Sequence, residues 1–271
     1  MKSDNIPVTR QAAVGKKLVG LLSALDNLRA PGGCPWDAAQ TAISLVPFLL
    51  EETYEVIEAI EAEDAVLLQE ELGDLLLHVM FQCKIAEEAG HFTVDETIES
   101  LIQKLIDRHP HVFGEDGADG AFQAKQNWEA AKQLKKNRES ILEGVPRTLP
   151  ALTRAKRIQE KAAYVGFDWG EPEPIWMKVY EELNEVKEAI KGGDVDAIED
   201  ELGDVLFSLV NLSRFYKVSP EEALRRSISK FEYRFSRIEE ELKRRGKSPA
   251  ESSLEEMDSI WNEYRQKKEP L

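Results

Sequence analysis

The sequence predicts an all-α protein built from two tandem copies of one helical module. The chain aligns with itself without gaps when residues 51–76 are placed on residues 181–206, and 13 of the 26 positions are identical. Apolar residues in both copies recur every three or four positions, which is the period of an amphipathic helix. Alternating β-branched stretches, typical of strands, are hard to find.

The first copy is predicted to contain two consecutive helices. Two runs of residues at helical spacing follow each other: Leu49, Thr53, Val56, Ile57 and Ile60, then Leu68, Leu72, Leu75, Leu76, Val79 and Met80. The midpoint between Glu55 and Glu71 is residue 63, so a turn is expected beside that position. The two helices then fold into an antiparallel hairpin.

The second copy predicts the same hairpin. Its apolar runs are Val179, Leu183, Val186 and Ile190, then Ile198, Leu202, Val205, Leu206, Leu209 and Val210. Between them stand Gly192 and Gly193, and Gly193 is the midpoint between Glu185 and Glu201. Adjacent glycines are typical of a turn that ends a helix.

The chain is predicted to form two domains. Its 271 residues exceed the usual size of one compact core. Gly144 and Pro150 interrupt any helix between the copies, so we expect an N-terminal domain at 1–137, a linker at 138–150 and a C-terminal domain at 151–271. Because short helices bury one stripe each, each copy needs further helices or a second subunit, and a homodimer is expected.

Composition argues against two classes of partner. The 51 acidic residues outnumber the 35 Lys and Arg residues, and the net charge of −16 repels nucleic acid backbones and anionic membranes. No apolar run approaches the length of a membrane span, and residues 1–17 lack the apolar segment of a signal peptide. We therefore expect no nucleic acid partner, no membrane partner and a cytoplasmic location.

Paired carboxylates are the chemical signature of each copy. Glu52 and Glu55 share one helix face, as do Glu71 and Asp74 on the following helix. The second copy carries the same four acids: Glu182, Glu185, Glu201 and Asp204. Four converging carboxylates repel one another unless a cation neutralises them, and oxygen ligands favour Mg²⁺, with Mn²⁺ as the alternative. Such ions commonly serve phosphate chemistry, so a phosphorylated substrate is expected.

Acidic residues can also simply solvate an exposed helix face. Recurrence of the four acids at one fixed offset requires duplication, but duplication shows common descent rather than activity. The metal interpretation is favoured because Glu55, Glu71 and Asp74 lie on or beside the apolar stripe, where Leu72 also points. His78 lies on an apolar helix face and is interpreted as a packed core histidine.

Cations suited to a polyphosphate follow the carboxylates. Lys104 and Arg108 in the first copy, and Lys230 and Arg234 in the second, are each spaced to project from one helix face. They are either holders of a leaving pyrophosphate or ordinary surface cations. Trp261 could stack on a nucleobase or close a core, and core packing is the more common role.

With these residues assembled, the chain resembles the two-domain MazG-type nucleoside triphosphate pyrophosphohydrolases. Their signature, Glu-Glu-x-x-Glu followed by Glu-x-x-Asp, occurs as EETYE at 51–55 with ELGD at 71–74, and as EELNE at 181–185 with ELGD at 201–204. Further matching segments are GCPWD at 33–37, VPRTLPAL at 145–152 and VGFDW at 165–169. The resemblance covers nearly the whole chain.

The resemblance implies an all-α, dimeric, Mg²⁺-dependent enzyme that hydrolyses nucleoside triphosphates to the monophosphate and pyrophosphate. The implied metal ligands, whose second-copy members are also the catalytic residues, are Glu182, Glu185, Glu201 and Asp204, and equivalently Glu52, Glu55, Glu71 and Asp74. The implied nucleotide contacts are Lys178, Glu181, Glu182, Asp204, Lys230, Arg234 and Trp261. The sequence departs from the family at Ala197, Ile198 and Glu199, where no cation stands to help bind phosphate.

The expected reaction is attack of water on the α-phosphorus, with a carboxylate as base and pyrophosphate as leaving group. The second domain is expected to be the more competent, because Pro110 ends a helix just after Arg108, whereas the segment 220–245 can run unbroken beneath Lys230 and Arg234. Two alternatives stay open. One is a base-specific relative on the same fold, such as a dUTP or dCTP pyrophosphatase, and the other is a regulatory helical protein that binds Mg²⁺ or nucleotide without turnover.

Overall fold

A computed structural model describes residues 7–113, 120 and 140–265. Every regular element in these ranges is a helix, which confirms the predicted all-α fold. Contacts divide the chain into two compact units, Met1–Asn137 and Arg138–Leu271. None of the helices in these ranges combines the length and the apolar composition that a membrane span requires.

The first unit is a helical bundle around one apolar core. Its helices are α1 (Val8–Arg29), α2 (Pro35–Ala39), α3 (Val46–Glu61), α4 (Ala65–Glu88), α5 (Val94–Arg108) and α6 (Pro110–Phe113). The buried core residues are Leu25, Leu45, Met80, Phe81, Cys83 and Val94. Helices α3 and α4 make the most extensive contact of this unit, as the predicted hairpin requires.

The second unit repeats the hairpin. Its helices are α7 (Ala151–Tyr164), α8 (Pro172–Gly192), α9 (Val195–Phe215), α10 (Pro220–Arg244) and α11 (Leu254–Arg265), with a short 3₁₀ turn at Pro249–Glu251. Helices α8 and α9 pack against each other along their length, and α7 packs on α9. A separate apolar cluster of Ile238, Leu242 and Ile260 joins α10 to α11.

The two hairpin turns have the same construction. Asp64 and Asp194 cap α4 and α9: Asp64 accepts hydrogen bonds from two backbone N–H groups of the first helical turn, and Asp194 accepts one. The residue before each cap has a positive φ, which is 54° at Glu63 and 74° at Gly193. The turns therefore lie at the midpoints that the carboxylate spacing predicts.

Replacing Gly193 by Ala is expected to destabilise the second unit by about 1 kcal/mol, because only glycine adopts the left-handed conformation without steric cost. The neighbouring Gly192→Ala is the control. Gly192 is the last residue of α8 and has open space where an alanine methyl group would project, so alanine there is expected to be neutral or slightly stabilising. Thermal unfolding of both variants measures the difference, and equal effects of the two substitutions would contradict this account of the turn.

Candidate functional site

Three carboxylates of the second unit converge where α8 lies against α9. Oxygen atoms of Glu182, Glu201 and Asp204 all lie within 4.8 Å of one another. Glu182 comes from α8, and the other two stand one helical turn apart on α9. The hairpin turn brings these positions level, so the local fold alone creates a group of oxygens that can share one divalent cation.

Glu182 is the most deeply placed member of this group. Its side chain is 5 % exposed, and its Oε1 lies 2.6 Å from Lys178 Nζ, one turn earlier on α8. Its Oε2 is buried and makes no hydrogen bond within the part of the chain that the structure describes. Hydrogen bonds with Glu182 and Glu181 raise the pKa of Lys178, so this lysine stays charged. A buried carboxylate oxygen without a partner fits a metal ligand.

Glu185 borders the same cluster. Its interaction with Glu182 raises the pKa of Glu185, with partial desolvation and the charge of Glu201 adding to the effect. Glu185 is nevertheless outside the set of three carboxylates whose oxygens lie within 4.8 Å. Of the four acids singled out by the sequence, three meet directly and the fourth is adjacent.

The first unit has an equivalent cluster. Oxygens of Glu52, Glu55 and Glu71 lie within 4.8 Å of one another. Partial burial raises the pKa of Glu52, and the charges of Glu55 and Asp74 raise it further. Desolvation and Glu55 likewise raise the pKa of Glu71. Asp74 acts electrostatically on this cluster without belonging to the set of three, and a bound cation would relieve the repulsion.

The second unit also contains a cavity of about 510 Å³ beside its carboxylates. Lys178, Glu182 and Asp204 form one part of its lining. The rest of the wall is built by Gln159, Ala162, Gly166, Phe167, Asp168, Trp169, Ile175, Phe207, Ser208, Asn211 and Arg214. Its volume falls within the range of pockets that hold small organic ligands.

The two copies of the repeat have different residue types at positions that line this cavity. At the offset of 130, Lys178 corresponds to Phe48 and Asn211 corresponds to Phe81. Phe48 stacks on His78 with ring centroids 6.3 Å apart, and Phe81 is a buried core residue. The first unit thus keeps the carboxylates but places aromatic rings where the second unit has polar cavity residues.

His78 is not a purely apolar core residue. Its Nε2 lies 3.8 Å from Glu52 Oε1, although the ring also packs on Phe48 as the apolar face of α4 suggested. Helical periodicity could not reveal this contact, because the partner lies on the preceding helix.

Three predicted nucleotide contacts lie on α10 and α11. The Arg234 guanidinium lies over the Trp261 ring at 5.1 Å, and Trp261 also contacts Phe231 at a centroid distance of 5.3 Å. Trp261 packs against the apolar cluster that joins the two helices. Neither these two residues nor Lys230 lines the cavity. Helix α10 runs unbroken beneath Lys230 and Arg234, as predicted.

Sequence reasoning missed the polar residues of the cavity wall, chiefly Gln159, Asn211 and Arg214. They come from α7 and α9 and share no spacing pattern with the acids. One signal was available: the VGFDW segment at 165–169 matches the family and supplies four of its five residues to the wall, but its residue types alone indicated no role.

Comparison with known proteins places the hairpins in one family. The model of the MazG nucleotide pyrophosphohydrolase domain matches residues 40–113 and 171–238. A Thermotoga maritima protein named nucleoside triphosphate pyrophosphohydrolase/pyrophosphatase MazG is 46 % identical over 243 residues, covering 89 % of this chain and 92 % of that protein. The Escherichia coli K12 nucleoside triphosphate pyrophosphohydrolase is 41 % identical over 251 residues, covering 90 % and 95 %.

A third relative shows that the same two-unit sequence also occurs within a longer chain. The Bacillus subtilis protein YabN, named as uncharacterized, is 43 % identical over 263 residues, which cover 96 % of this chain and 54 % of YabN. Each of the two segments that match the family domain contains one of the carboxylate clusters described above. The chain therefore belongs to the MazG nucleotide pyrophosphohydrolase family.

Proposed function

We propose that this chain is a Mg²⁺-dependent nucleoside triphosphate pyrophosphohydrolase, which converts ribo- or deoxyribonucleoside triphosphates to the monophosphate and pyrophosphate. The observation that carries the proposal is the convergence of Glu182, Glu201 and Asp204 beside a cavity that also contains Lys178. The names of the Thermotoga maritima and Escherichia coli relatives support the same reaction. Mn²⁺ is the alternative ion, since the ligand oxygens do not separate the two.

Each of the four acids at the second unit's site has a proposed role in the reaction. Glu182, Glu185, Glu201 and Asp204 would hold the divalent cation, which when bound supplies charge neutralisation for the phosphates. A carboxylate of this group would take a proton as water attacks the α-phosphorus. The bond between the α-phosphorus and the oxygen bridging to the β-phosphate breaks, and pyrophosphate leaves.

Lys178 would add a positive charge near the transferred group. Lys230, Arg234 and Trp261 remain proposed contacts to the nucleotide, together with Glu181 on the exposed side of α8. The first three would act from α10 and α11, and none of the four lines the cavity. Loss of nucleotide affinity on replacing Lys230 or Arg234 would support this assignment.

We place turnover in the second unit. The cavity wall of that unit includes Lys178, whereas the first unit has Phe48 at the corresponding position, stacked on His78. The first cluster, formed by Glu52, Glu55, Glu71 and the adjacent Asp74, would bind a cation beside an aromatic ring in place of a lysine. The proposed organisation is a domain at 1–137, a linker at 138–150 and a catalytic domain at 151–271.

The test is product analysis with ATP, GTP, dUTP and ITP, with Mg²⁺ and with chelator. The proposal predicts monophosphate and pyrophosphate in equal amounts and no turnover after chelation. Orthophosphate as the primary product would overturn it. Turnover of dUTP alone would identify a base-specific enzyme, whereas Mg²⁺-dependent nucleotide binding without product would favour the regulatory alternative.

We also propose that the chain forms a homodimer through exposed apolar stripes that recur in both units. Exposed apolar residues stand at helical spacing on one helix of each hairpin: Leu72, Leu76 and Val79 on α4, and Leu202, Leu206 and Leu209 on α9. Similar stripes follow on the next helix: Ile98, Leu101, Ile102 and Leu105 on α5, and Leu224, Ile228 and Phe231 on α10. Repeated apolar stripes of this extent are typical of surfaces that a second subunit covers.

Replacing Leu206, whose surface is 55 % exposed, by Glu is expected to shift the chain from dimer to monomer, because a charge would be buried in the interface. Size-exclusion chromatography with light scattering gives the molar mass. Leu254→Glu is the control, since Leu254 is exposed at the first turn of α11, a helix that carries none of these stripes. An unchanged mass for Leu206→Glu, or a monomeric parent protein, would contradict this interface.

A further inference from the structure

The cavity of the second unit has a polar region that the proposed hydrolysis does not use. We propose that this region binds the nucleobase of the substrate and that Gln159 Oε1 accepts a hydrogen bond from the exocyclic amino group of the base. The inference rests on the proposed function, because the carboxylates and Lys178 would hold the phosphates of the same molecule. It goes further by assigning base recognition to Gln159, with Asn211 as its neighbour in the wall.

Gln159 provides the strongest evidence for this base-binding region. The residue is 8 % exposed and lines the cavity from α7. Its Nε2 donates a hydrogen bond to the Phe207 carbonyl at 2.9 Å. Its Oε1 is buried and has no hydrogen-bond partner among the described residues. Rotating the amide would place Oε1 against the carbonyl oxygen, so the bond to Phe207 fixes the free oxygen as an acceptor. A buried acceptor of this kind requires a partner.

Asn211 offers the complementary group. The residue is 8 % exposed and lines the same cavity from α9. Its Oδ1 accepts hydrogen bonds from Arg214 Nε at 3.0 Å and Nη2 at 2.8 Å. The acceptor of this amide is therefore occupied, and its Nδ2 remains as a donor. Every nucleobase presents a donor beside an acceptor on its pairing edge, so amide groups of this type suit a base edge.

The charge in this region suits a neutral ring rather than a phosphate. Arg214 is paired through both terminal nitrogens with Asp168, and its Nη1 lies 2.9 Å from Asp168 Oδ2. The guanidinium charge is thus compensated within the wall. Lys178, in contrast, stands among the carboxylates, where a cation-bound polyphosphate would carry its negative charge. The two parts of the cavity therefore differ in the chemistry they accept.

Aromatic surface completes the region. Trp169 and Phe207 both line the cavity, and both residues are exposed. Aromatic faces stack on any base, whereas hydrogen bonds to the base edge distinguish one base from another. The volume of about 510 Å³ is within the range that holds a small organic ligand. In the first unit, Leu77 and buried Phe81 occupy the positions of Phe207 and Asn211.

The experiment compares substrates that differ by one hydrogen-bond donor. ATP is paired with purine riboside 5′-triphosphate, which lacks the 6-amino group, and CTP with 2-pyrimidinone riboside 5′-triphosphate, which lacks the 4-amino group. In the full-length protein with Mg²⁺, the amino-bearing member of at least one pair is expected to have a roughly tenfold higher kcat/KM, mostly through KM. In Gln159→Leu, this ratio is expected to fall to about one.

Two results would overturn the assignment. The first is a ratio near one in both pairs for the unaltered protein, which needs no variant and so does not depend on whether Gln159→Leu folds. The second is a folded Gln159→Leu that retains the parent ratio, which would make Gln159 a structural residue satisfied by water. Gln103→Leu, on α5, is the control and should leave the ratio unchanged. If none of the four nucleotides releases pyrophosphate, the proposed function itself fails.

Discussion

Replacing Glu201 by Gln is expected to lower kcat for pyrophosphate release at least a hundredfold. The substitution keeps the size of the side chain but removes one negative charge from the three oxygens that lie within 4.8 Å of one another. An amide is a weak ligand for Mg²⁺, and loss of a ligand removes charge stabilisation that the reaction needs. Steady-state assays of pyrophosphate release at saturating Mg²⁺ measure the change.

The matched control for this substitution lies in the first unit. Glu71→Gln makes the same chemical change at the equivalent position of the other cluster. Because turnover is assigned to the second unit, Glu71→Gln is expected to change kcat less than threefold. Equal losses in both variants, or full activity of Glu201→Gln, would contradict the assignment of turnover to the second cluster.

Replacing Lys178 by Met is expected to lower kcat/KM about a hundredfold, the second largest effect. The Lys178 ammonium lies 2.6 Å from the buried Glu182 carboxylate and also lines the cavity. Methionine keeps the length of the side chain but leaves Glu182 without its cation, and it removes a positive charge that would face the phosphates. Kinetics with ATP across a range of Mg²⁺ concentrations separates weakened binding from slower turnover.

Lys191→Met is the control for that experiment, because Lys191 lies on the same helix and pairs only with the exposed Glu188 at 2.7 Å among the described residues. It should leave both kcat and KM unchanged. Lys178→Arg keeps the charge and is expected to recover part of the lost activity. Parent-like kinetics of Lys178→Met would show that this cation has no part in the reaction.

The hairpins could be predicted from sequence because their determinants are local. Apolar spacing defines α3 and α4, and the same spacing defines α8 and α9. The turn positions followed from the separation of the paired acids, and capping by Asp64 and Asp194 fixes them. What the spacing could not supply was the packing of α7 on α9, which depends on contacts between residues far apart in the chain.

The carboxylates of the candidate site were predictable for the same reason, since all four acids of each copy lie on one hairpin, where three of them converge. The proposed base-binding region was not predictable in this way. Gln159 and Asn211 belong to different helices, and Asn211 occupies a position where the first copy has Phe81. A search for repeated residues selects what the two copies share, so it passes over positions at which one copy has a polar residue and the other an aromatic one.

In the proposed reaction, water attacks the α-phosphorus and the bond from this atom to the bridging oxygen breaks. Hydrolysis of ATP in ¹⁸O-labelled water tests this directly. Attack on the α-phosphorus places one labelled oxygen in AMP and none in the pyrophosphate released with it. Mass spectrometry of both products after a single turnover reads the position of the label. Labelled AMP with unlabelled pyrophosphate is the predicted result, and label in pyrophosphate with unlabelled AMP would contradict attack at the α-phosphorus.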